Sequence, residues 1–167
     1  DVGESFVTKM KARHPHLYGD GVREPWEKMK AKKRASLSEG LPAGLPSLHR
    51  AFRLQDRAAG VGFDWPSHDG PMEKVGEELR EVGAELVVET PDSDRMHDEI
   101  GDLLFAVVNL ARKAGVHPAL ALDRANKKFE RRFAGIERLA AERGISVPEA
   151  GLAVLDSLWD EVKSSET

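Results

Sequence analysis

The feature that most constrains the fold of this chain is a helical repeat of apolar residues through its middle third. Between residues 72 and 88, four apolar side chains recur at spacings of four, three and four: Val75, Leu79, Val82 and Leu86. This spacing is typical of an amphipathic helix that packs its apolar face on the domain. The opposite face carries glutamates: Glu77, Glu78, Glu81 and Glu85.

A second helix is predicted over residues 95–114, after a polar linker at 90–94. Gly115 follows it and suits a left-handed helix cap. The centre of this helix is apolar nearly all round. We therefore expect it to be the buried helix of the domain.

Further helices are predicted at residues 45–59, 118–143 and 148–162. Segments with glycine and proline at 40–46, 60–71 and 144–148 separate them, since these residues interrupt helices and form turns. The segment at 60–71 is expected to be an ordered loop around Phe63 and Trp65. No alternating run of β-branched residues is long enough to argue for a sheet, so the predicted fold class is all-α.

The two central helices place carboxylates three and four residues apart, where helical side chains share a face. The first helix offers Glu77, Glu78 and Glu81, and the second offers Glu99 and Asp102. A short linker favours antiparallel packing, which would bring carboxylates of both helices into one small volume. Residues 73–102 contain 11 acidic and 3 basic side chains, so like charges are expected to raise at least one pKa.

This acidic cluster has two interpretations. Glutamate-rich helix faces are most often solvated surface. However, Glu99 and Asp102 lie against the apolar run at 103–108, and ionised groups at the edge of a buried helix are costly unless paired or bound to metal. All-oxygen ligands suit Mg²⁺ or Mn²⁺ better than Zn²⁺. A hard-cation site is favoured.

A basic segment follows on the helix predicted at 118–143. Residues 124–138 contain 6 basic and 2 acidic side chains. Lys128 and Arg132 are four apart and share a face, while Arg131 is expected to point elsewhere. Cations beside an acidic metal site would suit a polyphosphate ligand. The alternative is ordinary surface ion pairing, for example with Glu130 or Glu137.

Composition limits the remaining classes of function. The 167 residues include no cysteine, which excludes disulfides and thiolate metal sites and fits a reducing cytoplasm. A formal net charge of −4 and basic residues dispersed among acids argue against nucleic-acid binding. The longest apolar stretch, at 103–111, is too short to span a bilayer, so no membrane partner is expected.

Several strings agree in order, spacing and apolar context with one known family. They are VGFDW at 61–65, EExxE at 77–81, DEIGDLLF at 98–105, VNLAR at 108–112 and ANKKFERRF at 125–133. With them the sequence resembles the MazG family of nucleoside triphosphate pyrophosphohydrolases, from about residue 40 to residue 163. The resemblance implies a small α-helical bundle that works as a tight homodimer.

The resemblance also implies roles for single residues. Four carboxylates would hold Mg²⁺, with Mn²⁺ as a possible substitute: Glu78, Glu81, Glu99 and Asp102. On chemical grounds, a carboxylate of this cluster such as Glu78 or Glu81 could serve as the general base for the attacking water. Glu77 belongs to the same motif, and its contact with metal or water is left open.

The implied substrate-binding residues lie further along the chain. Lys128 and Arg132 would contact the phosphates, and Asn126 lies in the same matching string. Trp159 would pack near the nucleotide base. At helical spacing from Leu155 it is equally suited to the core.

An amino-terminal segment resembles part of a second copy of the domain. Lys9 and Arg13 have the four-residue spacing of Lys128 and Arg132, and many relatives are tandem duplications. We therefore expect residues 1–39 to be the remnant of a preceding repeat with its linker. Residues 40–167 would form the catalytic domain.

The expected activity is magnesium-dependent hydrolysis of nucleoside triphosphates, canonical or not, to monophosphate and pyrophosphate, with a house-cleaning role. Two alternatives stay open. One is a narrower enzyme acting on dUTP/dCTP or phosphoribosyl-ATP. The other is a non-catalytic helical dimerisation module that binds a divalent ion for structural reasons.

Overall fold

The computed structural model describes residues 2–13, 36–90 and 92–166, and all regular structure within them is helical. The α-helices are α1 (Val2–Arg13), α2 (Ser47–Gly60), α3 (Asp69–Leu86), α4 (Ser93–Lys113), α5 (Pro118–Glu142) and α6 (Gly151–Ser164). A short 3-10 helix, Val147–Glu149, precedes α6. The all-α prediction is confirmed, and the ends of α2 to α6 lie within three residues of the predicted ends.

The chain divides into two compact units, Asp1–Pro118 and Ala119–Thr167. In the first unit α3 and α4 run antiparallel. This arrangement brings Glu85, near the end of α3, into an ion pair with Arg95, near the start of α4. The side chain of Asp92 caps α4 by accepting from the backbone N–H of Asp94 at 2.9 Å. Helix α2 is braced to α4 by Gln55, whose Nε2 donates to the carbonyl of Phe105 at 2.8 Å.

The buried face of α3 differs from the predicted one. Val82 is buried as expected, but Leu79 is 58% exposed and Leu86 is 67% exposed. Glu78 and Glu85, assigned to the polar face, are buried instead. The assignment of Leu79 and Leu86 to the buried side was wrong. Burial of the two glutamates is tolerated because each has a basic partner.

The expectation that α4 is the buried helix was also wrong. Ala106 and Val108 are buried, while Leu104 is 54% exposed and Val107 is 44% exposed. Helices α2 and α3 cover only part of its circumference. An apolar stripe on α3 (Met72, Leu79 and Leu86) and another on α4 (Ile100, Leu104 and Val107) thus remain on the surface of the single chain.

The second unit has its own small core, formed where α5 and α6 pack together. It contains Ile136, Ala140, Leu158 and Val162. Gly135 permits close approach of the helices, since a Cβ placed there would lie 2.9 Å from a methyl group of Val162.

None of the described helices is both long and apolar enough to cross a membrane. Helix α1, Val2–Arg13, lies within the amino-terminal segment. The predicted pair of cations, Lys9 and Arg13, has side chains that lie outside the described residues.

Candidate metal centre

Three predicted ligands converge between α3 and α4. Ligand oxygens of Glu78, Glu99 and Asp102 all lie within 4.8 Å of one another. Glu78 stands on α3, and the other two stand one helical turn apart on α4, so antiparallel packing sets their register. Glu78 is buried, Glu99 is partly buried and Asp102 is exposed. The cluster is therefore open to solvent on one side.

The carboxylate of Glu78 is only half satisfied. Its side chain is 5% exposed, and Oε1 forms an ion pair with Lys74 one turn earlier on α3. Its Oε2 is buried and has no hydrogen-bond partner within the described part of the chain. A buried acceptor without a donor is costly. This oxygen marks the position where a cation would be stabilising.

Glu99 lies in surroundings that disfavour its ionised form. Burial raises the pKa of the Glu99 carboxyl above its ordinary value, and the neighbouring negative charge of Glu81 raises it further. Smaller contributions come from Glu78 and Asp102. The predicted shift is confirmed in direction. Glu81 also belongs to the neighbourhood, although it lies outside the closest group of three.

Glu77 takes a different position in the motif. Its carboxylate forms an ion pair with Lys74 at 2.8 Å and is about half exposed. That hydrogen bond lowers the pKa of the Glu77 carboxyl. Sequence reasoning missed Lys74, although its spacing of three and four residues before Glu77 and Glu78 was the available signal.

The donor set fits a hard divalent cation. Carboxylate oxygens of three residues converge, and one of these residues, Glu78, carries a buried Oε2 with no hydrogen-bond partner among the described residues. Oxygen-only ligation with several open positions is what Mg²⁺ prefers in proteins. The arrangement can therefore hold a metal whose remaining positions are filled by water or by a phosphate ligand.

A second polar network fixes the VGFDW loop to the end of α4. The carboxylate of Asp64 accepts from the guanidinium of Arg112 and from Lys113 Nζ at 3.1 Å. Lys113 also donates to the carbonyl of Trp65, and Arg112 Nε donates to Asn109 Oδ1 at 3.1 Å. The loop is ordered as predicted. Phe63, at 83% exposure, points away from the protein.

The predicted phosphate-binding residues stand on α5, in the second unit. Arg132 is only 19% exposed in its side chain and pairs with Glu166 at 2.8 Å. Arg131 pairs with the same carboxylate at 3.1 Å. The expectation that Arg131 points elsewhere was wrong, because Glu166 is placed to bridge both arginines. The suggested partners of Arg132, Glu130 and Glu137, are not the ones observed.

Trp159 belongs to an aromatic group on the inner side of α5 and α6. Its ring centroid is 5.6 Å from that of Phe129, and the guanidinium carbon of Arg132 lies 5.5 Å from the ring centroid. Arg132 is thus held by a cation–π contact on one side and a carboxylate on the other. Trp159 is partly buried against the core of the second unit, as the core interpretation of the sequence allowed.

Lys128 and Asn126 are exposed on α5. Within the described ranges, neither side chain takes part in the hydrogen bonds or ion pairs found. By contrast, the adjacent Lys127 pairs with Asp123 at 2.9 Å.

The fold and this site define a class: a helical protein with a carboxylate cluster, a candidate cation site, between two antiparallel helices. Comparison with known proteins gives the family. A model of the MazG nucleotide pyrophosphohydrolase domain matches residues 67–134, which include the whole carboxylate cluster.

The similarity to known proteins extends over nearly the entire chain. The nucleoside triphosphate pyrophosphohydrolase of Escherichia coli (strain K12) is 39% identical over 178 aligned residues, covering 99% of this chain and 68% of that protein. The nucleoside triphosphate pyrophosphohydrolase/pyrophosphatase MazG of Thermotoga maritima is 36% identical, covering 99% of this chain and 66% of that protein. The chain belongs to the MazG family, as the resemblance implied.

A third relative is a longer protein. The uncharacterized protein YabN of Bacillus subtilis (strain 168) is 40% identical over 177 residues, which cover 99% of this chain but 36% of YabN. The region similar to this chain therefore makes up 68% of the Escherichia coli protein and 36% of the longer YabN.

Proposed function

We propose that this chain hydrolyses nucleoside triphosphates to nucleoside monophosphate and pyrophosphate. Membership of the MazG family and the names of the Escherichia coli and Thermotoga maritima relatives support this activity. The observation that carries it is the convergence of Glu78, Glu99 and Asp102 with a buried, unsatisfied oxygen on Glu78. That arrangement matches the need of a phosphoryl-transfer site for a bound divalent cation.

Four carboxylates would hold the metal, which we propose to be Mg²⁺ with Mn²⁺ as a substitute: Glu78, Glu81, Glu99 and Asp102. When bound, the cation would neutralise phosphate charge and orient water. Burial and like-charge repulsion both raise the pKa of Glu99, and the cation would offset the repulsion. It would also satisfy Glu78 Oε2.

The chain's own groups perform the rest of the chemistry. Glu81 lies beside Glu99 at the solvent-open side of the cluster, where a carboxylate can accept a proton from water. We favour Glu81 over Glu78 as this base, because Glu78 is buried and engaged with Lys74. Glu77 would act indirectly, by holding Lys74 next to Glu78.

The proposed substrate-binding residues lie on α5 and α6. We propose that Lys128 and Arg132 contact the phosphates, that Asn126 assists them, and that Trp159 packs near the base. The exposure of Lys128 and the cation–π support of Arg132 favour these roles, because a phosphate ligand needs accessible, oriented cations.

The exposed apolar stripes on α3 and α4 support a homodimer as the working form. Met72, Leu79 and Leu86 repeat at intervals of seven on α3, and all are more than half exposed. Contiguous apolar surface of this kind is typical of an interface. Light scattering of the purified protein would report a dimer, and Leu79→Glu would shift the mass to that of a monomer.

We keep the proposed division at residue 40, with 1–39 as a repeat remnant and 40–167 as the catalytic domain. Arg57 on α2 donates to the carbonyls of Leu37 and Glu39 at 2.7 and 2.9 Å, so the end of the linker is tied to the domain. Limited proteolysis is expected to cut ahead of residue 37. We also propose a cytoplasmic location, consistent with a chain without cysteine.

A panel of ribo- and deoxynucleoside triphosphates with Mg²⁺ tests the activity. Pyrophosphate and monophosphate are expected in equal amounts, and a chelator should stop their release. Activity confined to dUTP and dCTP, or to phosphoribosyl-ATP, would select the narrower enzyme. Absence of pyrophosphate release from every substrate would leave the non-catalytic dimerisation module.

A further inference from the structure

Glu166, two residues beyond the end of α6, contacts two arginines at once. Glu166 Oε1 accepts from Arg131 Nε at 3.1 Å, and Arg131 Nη2 lies 3.1 Å from the same oxygen. Glu166 Oε2 accepts from Arg132 Nε at 2.9 Å, and Arg132 Nη2 lies 2.8 Å from it. One carboxylate therefore occupies an N–H edge on each of two guanidinium groups.

The same edge of an arginine is used to bind phosphate. Guanidinium groups present parallel N–H donors that match carboxylate and phosphate oxygens alike. Arg132 has limited freedom to offer other donors, because its side chain is 19% exposed and its guanidinium lies over the ring of Trp159. Glu166 thus holds Arg132 in the way an anionic ligand would.

Charge supports this contact at neutral pH. Hydrogen bonds from Arg132 and Arg131 hold the pKa of the Glu166 carboxyl below its ordinary value. Ionised Glu166 reduces the local charge of the arginine pair from +2 to +1. The field that attracts a triphosphate is correspondingly weaker.

We propose that Glu166 is an internal counter-anion that competes with the phosphate chain of the nucleotide for Arg132, and so sets substrate affinity. This inference rests on the proposed role of Arg132. In the nucleotide-free protein the carboxylate orients Arg132 and offsets part of the positive charge of the arginine pair. Binding of the triphosphate displaces it into solvent.

The position of Glu166 makes displacement easy. Helix α6 ends at Ser164, so Glu166 lies in the turn beyond it and can swing away without breaking the helix. Its side chain is 27% exposed, and an ion pair of this kind is weak because water screens it. The contact therefore lowers nucleotide affinity modestly rather than blocking the site.

The chain offers a matched control on the same pair of helices. Glu161 on α6 pairs with Arg143 beyond the end of α5, with both oxygens within 2.8 Å of Nη2. Arg143 is eleven residues from Arg132 along the chain. Glu161→Gln on α6 and Glu166→Gln in the turn beyond it each remove one negative charge. Only Glu166→Gln removes a partner of Arg132.

The test compares steady-state kinetics of the parent, Glu166→Gln and Glu161→Gln. Glu166→Gln is expected to lower KM for the nucleotide about two- to fivefold with kcat unchanged, and Glu161→Gln to leave both unchanged. An equal or higher KM in Glu166→Gln would overturn the proposal. A fall in KM of the same size in both variants would also overturn it, since that effect belongs to net charge.

Binding of inorganic tripolyphosphate, measured by calorimetry, separates this proposal from the proposed function. Tighter binding by Glu166→Gln than by the parent, with Glu161→Gln equal to the parent, supports the competition even if no nucleotide is hydrolysed. Equal binding by all three proteins overturns the competition even in an active enzyme.

Discussion

The helix pairs α3/α4 and α5/α6 differ in how far their charged side chains are paired within the chain. Between α3 and α4, carboxylates of the two helices face one another, and the pKa of Glu99 is raised. The buried Oε2 of Glu78 has no hydrogen-bond partner among the described residues. In the second pair, the α5 cations Arg131 and Arg132 both form ion pairs with Glu166, in the turn beyond α6. The first arrangement leaves facing negative charges without enough positive charge, which favours an added cation, whereas in the second a carboxylate of the chain offsets part of the positive charge.

A finer comparison within α3 leads to the same conclusion. Glu78 and Glu85 are seven residues apart, and both are buried. Glu85 is matched by Arg95 from the facing helix. Glu78 shares Lys74 with Glu77 and faces two further acids. Burial of a carboxylate therefore does not by itself indicate a metal site. A metal site is indicated where a buried carboxylate lies among other acids and shares too few basic partners.

The largest expected effect is the loss of turnover when a cluster carboxylate is neutralised. Loss of a residue that only orients a metal ligand costs about 10- to 100-fold, so Glu99→Gln or Asp102→Asn is expected to reduce kcat/KM by more than about 100-fold. Circular dichroism should show unchanged helicity. Asp98→Asn, an exposed neighbour on α4, is the control and should keep parental activity. Full activity in Glu99→Gln would remove the cluster from the mechanism.

A smaller effect is expected when a proposed phosphate-binding lysine is removed. Lys128→Ala should weaken nucleotide binding about tenfold, as loss of one charged hydrogen bond does, and should leave metal affinity unchanged. Calorimetric titrations with a non-hydrolysable nucleotide and with Mg²⁺ alone measure the two separately. Lys127→Ala is the matched control, because Lys127 pairs with Asp123. Equal nucleotide affinity in Lys128→Ala and the parent would contradict the assignment.

A third prediction concerns the ion pairs of Asp64 with Arg112 and Lys113, which have no proposed role in binding. Asp64→Asn removes the partner of Arg112 and Lys113 and is expected to lower the free energy of unfolding by about 1–2 kcal/mol. Because these partners lower the pKa of Asp64 in the folded state, the stabilisation is present above the ordinary pKa of 3.8. It is lost as pH falls through the lowered value.

Urea denaturation of the parent and Asp64→Asn between pH 3 and pH 7 would check this sign. The difference between the two proteins should be constant at the upper end and shrink below about pH 4. A difference that grows as the pH falls would contradict the account.

The carboxylate register was predictable from sequence, because it depends on helical spacing and a short linker. Glu78, Glu99 and Asp102 meet as that local geometry requires. Exposure of Leu79 was not predictable from one chain's periodicity, since the pattern marks an apolar face without saying what covers it. In the proposed homodimer, the partner subunit would cover it.

Long-range ion pairs were the other part that sequence did not reveal. Arg112 and Asp64 are 48 residues apart, and Arg132 and Glu166 are 34 residues apart. No local spacing rule links such residues, and only the packed helices bring them together. Lys74 was within reach of a local rule, because Glu77 and Glu78 lie one turn after it.

The comparison between the helix pairs is tested most directly by thermal unfolding of the parent and Glu99→Gln at pH 7, with and without Mg²⁺. Without metal, Glu99→Gln is expected to melt at a higher temperature than the parent, because it removes one of the facing like charges. Addition of Mg²⁺ should raise the melting temperature of the parent and leave that of Glu99→Gln nearly unchanged. A metal-free variant that melts below the parent, or an equal rise with Mg²⁺ in both proteins, would contradict the assignment of this cluster as a cation site.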